Sequence, residues 1–168
     1  MKLGNSKSAY GVVLLLVFAL AVMLVLTSRT SAQAGDSESQ ASRLEGTWRV
    51  QLTVRDCRTG AALRTFPALF TFAKGGTLTE TTAGQSPALN TPGLGVWGHT
   101  DGTTYSAVSE SFFFSPAGVW ITTHRLTRAI ELANDGNEFT DAVNLEIFDT
   151  TGNPIGTGCA TSAAHRFE

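Results

Sequence analysis

From Gly46 onward, hydrophobic and polar positions alternate. Trp48, Val50, Leu52 and Val54 are apolar, and Arg49, Gln51, Thr53 and Arg55 lie between them. Period two is the pattern of a strand that buries one face. It returns at 65–73, where Phe66, Ala68, Phe70 and Phe72 share a face. Further strands are predicted at 77–82, 96–100, 103–114, 119–133, 138–148 and 155–167. They are separated by turn sequences such as Cys57-Arg58-Thr59-Gly60, Lys74-Gly75-Gly76, Asp101-Gly102 and Asn134-Asp135-Gly136-Asn137. Residues 83–95, with Pro87, Pro92 and three glycines, form the longest predicted connection and a candidate lid. No window carries helical periodicity. Eight strands with short turns point to an antiparallel up-and-down barrel or a sandwich.

Register favours the barrel. Asp135-Gly136 is a hairpin pair. Pairing Asn134 with Asn137 sets Leu132 opposite Phe139, Arg128 opposite Val143, Leu126 opposite Leu145 and His124 opposite Ile147. Phe139, Asp141, Val143, Leu145 and Ile147 then face inward. Setting Asp149 opposite Pro154 turns Gly156, Gly158, Ala160, Ser162, Ala164 and Arg166 to the same face. If the last strand pairs with the first and Cys57 bridges Cys159, Arg166 lies opposite Val50 and beside Trp48, so the sheet closes. One hairpin conflicts: a four-residue turn after Asp56 would put Phe66, Phe70 and Phe72 outside, so a bulge or longer loop is predicted there.

The first 34 residues read differently. Lys2 and Lys7 precede an apolar run, 10–26, followed by Ala32-Gln33-Ala34. This is the pattern of a secretory signal peptide cleaved after Ala34; the alternative is an uncleaved membrane-anchor helix. Either way the remainder is expected outside the cytoplasm, secreted, periplasmic or anchored. Residues 35–43 are polar and small, a predicted disordered tether, and 44–168 form one domain. The chain has 12 basic and 14 acidic residues; removing the three basic residues of the export segment leaves 9 against 14, near −5. That balance argues against nucleic acid, and against membrane contact other than through an uncleaved N-terminal segment. Cys57 and Cys159 are the only cysteines, an expected disulfide in an exported chain. No metal-ligand spacing occurs, and no cofactor is expected.

Gly46-Thr47-Trp48 resembles the G-x-W motif of the lipocalins, and His165-Arg166-Phe167-Glu168 resembles the closing arginine of lipocalins and fatty-acid-binding proteins, the calycin barrels. Avidin-like barrels also begin with G-x-W. The resemblance implies that Arg166 packs over Trp48 at a closed barrel end and that the interior holds a small ligand. Such cation–aromatic stacking contributes roughly 0.5–2 kcal/mol. Cys57-x-Thr59-Gly60, Pro92-Gly93-x-Gly95-x-Trp97 and the ending Arg166-Phe167-Glu168 are also similar to small secreted bacterial proteins of unassigned function.

The candidate cavity residues follow from register. Trp120, His124, Leu126 and Arg128 are predicted to face inward on the longest strand. Pairing Phe114 with Val119 sets Ser109 opposite His124 and Tyr105 opposite Arg128. An inward arginine beside a tyrosine suits a carboxylate ligand; equally, Arg128 pairs with its diagonal neighbour Asp141 and His124 bonds Ser109, with no ligand involved. The expected function is binding of a small apolar or amphipathic molecule, or a carboxylate. Two alternatives stand beside it: an isomerase- or cyclase-type enzyme using His124 and Asp141, and a filled barrel acting through its surface as an envelope or inhibitor protein. No G-x-S-x-G, H-E-x-x-H or phosphate-loop motif assigns a catalytic residue.

Overall fold

The computed structural model describes residues 43–167. The predicted signal or anchor helix and most of the tether lie outside them. Eight strands follow in chain order: β1 (Gly46–Arg55), β2 (Ala62–Ala73), β3 (Thr77–Thr82), β4 (Gly93–Asp101), β5 (Thr104–Phe114), β6 (Trp120–Leu132), β7 (Glu138–Phe148) and β8 (Pro154–Arg166). Each pairs antiparallel with its neighbour, and β8 pairs with β1, giving a closed up-and-down barrel. Closure gives every strand a neighbour on both sides. Among the described residues there is no helix.

The β6–β7 and β7–β8 registers are those the turn sequences predict: Leu132 faces Phe139, His124 faces Ile147, and Val143 faces Ala160. Gly136, at φ 75°, supplies the left-handed position of the hairpin, closed by Ala133 N donating to Glu138 O at 2.8 Å. The predicted irregularity between β1 and β2 is a bulge at Val54/Arg55, which sets Phe66 opposite Leu52 and Phe70 opposite Trp48. The closing register differs from expectation by two residues: Arg166 lies opposite Trp48, and Val50 opposite Ala164. The disulfide is diagonal. Cys57 sits in the turn beyond β1, while Cys159 lies opposite Arg55. A shift of two keeps every side chain on its predicted face.

The strand parity packs one half of the barrel with aromatic rings. Trp48 meets Phe139 edge-on at 4.9 Å, Phe72 meets Phe139 at 5.9 Å, and Phe72 meets Trp97 at 5.6 Å. The indole nitrogens are satisfied, Trp48 Nε1 by Leu44 O and Trp97 Nε1 by Ala73 O and Thr77 O. Arg166 caps this end. Its Cζ lies 4.3 Å from the Trp48 ring centroid, and its three nitrogens donate to the carbonyls of Gly136, Glu45 and Arg43. Gly46 has φ 129°, and a Cβ there would stand 2.7 Å from Arg166 Nη1. The positive φ itself calls for glycine before Thr47-Trp48, and the guanidinium lies where a Cβ would stand.

At the other end, the Cys57–Cys159 disulfide ties the β1–β2 turn to β8 across 102 residues of chain. Such cross-links typically contribute 2–4 kcal/mol, on the order of what the chain-entropy account gives for long loops. Reduction is therefore expected to lower the free energy of unfolding by roughly that much, measured by denaturant titration with and without a reductant. Unchanged stability after complete reduction would contradict it.

Candidate functional site

Arg128 is the most buried charge in the barrel, 2% exposed. Inward parity on β6 places it there, and two carboxylates meet it. Nη1 donates to Asp141 Oδ2 at 2.8 Å and Nη2 to Glu80 Oε2 at 2.7 Å. Ser109 Oγ donates to the other Glu80 oxygen at 2.8 Å. The guanidinium also lies over Phe70, 4.5 Å from its centroid. Burial alone would weaken its hold on the proton, but Glu80 and Asp141 outweigh burial and raise its pKa above the usual value. The pairing with Asp141 expected from the hairpin register is present, and Glu80 is a second partner.

Above this ionic layer lies a cavity of about 180 Å³. Arg128, Glu80 and Phe70 line it where it borders the packed half. Leu52, Phe66, Leu126, Val143, Leu145 and Ala160 form apolar walls, and Asn90 and Thr91 come from the 83–92 connection. That connection is held to β5 by Thr91 N donating to Phe112 O and Phe114 N donating to Leu89 O. Space remains because β8 contributes Gly158 and Ala160 where larger side chains would fill the interior. A Cβ at Gly158 would already approach Leu145 Cδ2 to 3.2 Å.

The six candidate residues do not form one constellation. His124 lines the cavity opposite Ser111, stacked on Phe113 with centroids 3.8 Å apart. Burial lowers its pKa, so the ring is neutral near pH 7 and offers one donor and one acceptor. Ser109 lies opposite Leu126 rather than His124, and Tyr105 opposite Ile130 rather than Arg128. Tyr105 packs against Trp97 in the filled half. Asp141 sits behind Arg128, away from the cavity lining. Trp120 is corrected most: it lies on the outer face, 39% exposed, against Phe112 at 5.8 Å.

A longer turn and a bulge beside it explain these differences. A bulge between Phe113 and Phe114 pairs Phe114 with Trp120 but Phe113 with Thr122. Phe114 pairs with Trp120 rather than Val119, which moves the register by one, and the extra residue in β6 moves it by one more and leaves Trp120 on the far side of the sheet. The β6–β7 register separates the suggested acid–base pair. His124 faces Ile147, while Asp141 lies six residues back along β7, about 20 Å at strand rise.

Glu80 is a member of this ionic layer that the sequence pattern does not single out. The signal was present: Leu78 and Glu80 share the inward parity of β3, and both are buried. Gly93 and Gly95, expected in the 83–95 connection, lie in β4. A Cβ at Gly93 would come within 2.6 Å of Glu80 Cγ, and one at Gly95 within 2.0 Å of Val108 O. These glycines make room for the glutamate and for close strand contact.

Among the described residues, no cluster of three or more His, Cys, Asp or Glu is placed to hold a metal. No protein-family model matches the chain, and no curated protein matches it in sequence.

Proposed function

We propose that this chain is an exported, lipocalin-like binding protein whose barrel holds one compact, largely apolar molecule. The observation that carries this reading is the partly open cavity of about 180 Å³ between the ionic layer and the 83–92 connection. Ligand sites are typically apolar pockets with a few placed polar groups, and this one offers Glu80, Ser111, His124 and Arg128 within aliphatic and phenyl walls. Its size restricts the ligand. An apolar cavity of roughly 150 Å³ accommodates benzene, so the cavity holds a molecule of about eight to ten non-hydrogen atoms. The expected carboxylate partner is disfavoured, because both Arg128 amino groups already hold carboxylates. Export is supported by the N-terminal pattern and by the cysteine pair at disulfide distance.

The test uses toluene as probe. Toluene added to the full chain, disulfide intact, is expected to give saturable NMR shifts at Leu126, Val143 and Leu145. In Ala160→Phe, whose ring occupies the space, the shifts are expected to vanish while the fold persists. Absence of saturable shifts in the unaltered protein would contradict the reading.

A further inference from the structure

We infer that the molecule bound in this cavity carries a protonated amine, placed on Glu80. The inference rests on the binding reading above and names the chemical class of its ligand.

The argument begins with charge. Glu80, Asp141 and Arg128 are 8%, 6% and 2% exposed, and two carboxylates share one guanidinium. With both carboxylates ionised the layer carries a formal charge of −1 inside an apolar barrel. A buried charge without its counterpart is costly. An incoming anion would be the third negative group around one arginine, whereas an incoming cation brings the layer to neutrality.

Hydrogen bonding points the same way. A carboxylate has about four acceptor positions. Glu80 Oε1 accepts from Ser109 and Oε2 from Arg128, so positions remain on both oxygens, and Glu80 lines the cavity. Among the buried polar atoms without partners, Asn90 Oδ1 belongs to a residue that lines the cavity. A ligand that donates hydrogen bonds therefore meets a second acceptor residue in the lining besides Glu80.

Phe66, Phe70 and Phe113 line the space as apolar wall, with Arg64, Arg128 and His124 respectively already against their rings. His124, neutral near pH 7, adds an acceptor without adding positive charge. Size completes the class: the volume admits a primary amine on a ring or short branched chain, with its apolar part against Leu126, Val143 and Leu145.

Four probes of one shape separate the outcomes: toluene, benzyl alcohol, benzylamine and benzoate, titrated by calorimetry into the full chain with its disulfide intact. Benzylamine is expected to bind at least about tenfold more tightly than benzyl alcohol, the ratio that ~1.4 kcal/mol of charge-assisted hydrogen bonding gives. Benzoate is expected to bind more weakly than toluene. Glu80→Gln keeps the side-chain shape and should bring benzylamine down to the level of benzyl alcohol. If toluene and benzyl alcohol bind but benzylamine does no better, or Glu80→Gln keeps its advantage, the amine assignment is overturned and the binding reading stands. If none of the four binds, both fall.

Discussion

Replacing Arg128 with leucine is expected to destabilise the barrel by roughly 3–5 kcal/mol, the range for breaking a buried ion pair by removing one partner. The loss would arise from the groups left behind. Glu80 and Asp141 would remain buried with no cation between them, and Phe70 would lose the guanidinium over its ring. The distinctive result lies in the combinations. Arg128→Leu with Asp141→Leu is expected to recover only part of the stability, because Glu80 stays unpaired. Adding Glu80→Leu should recover most of the remainder, since apolar replacement of a whole buried ionic group is often neutral. Denaturant unfolding of the single, double and triple variants measures this. A single variant within about 1 kcal/mol of the unaltered protein, less than a removed buried partner costs, would contradict the account of the layer.

The second large effect is expected at the opposite end. Trp48→Ala should cost roughly 3–5 kcal/mol, as for large aromatic truncations in cores. Trp48 is fully buried, meets Phe139 edge-on, bonds Leu44 O through its indole and carries Arg166 on its face. Its loss therefore opens the packed half and loosens the closing strand together. Trp48 is not among the cavity-lining residues, so probe affinity should be unchanged wherever the variant remains folded. A stable Trp48→Ala protein that no longer binds toluene would reverse the division between structural and binding halves.

Much of the barrel is legible in the sequence because its turns are short and specified. Asp135-Gly136 admits few geometries, and from it the whole β6–β7 register follows, including the pairing of Arg128 with Asp141. Bulges are less legible, because nothing in the residue types fixes where one extra residue enters a strand. The β1–β2 bulge could be predicted only because four phenylalanine and alanine side chains needed an interior. The β5–β6 bulge and the longer turn beside it leave no such conflict, since Trp120 is plausible on either face, and together they move the partners of Tyr105 and Ser109 by two residues. Disulfides likewise restrain register to within a diagonal. Glu80 escaped notice for another reason. A glutamate between threonines reads as a solvated position until Arg128, 48 residues later, is seen to need a second anion.

The central claim is that the barrel encloses a ligand rather than only its own side chains, and the intact mass of the protein under native conditions tests it most directly. Protein purified from its own host is expected to show a mass exceeding that of the disulfide-bonded polypeptide by one compact molecule, and to lose that excess on denaturation. The polypeptide mass alone, unchanged between native and denaturing conditions, would contradict the account.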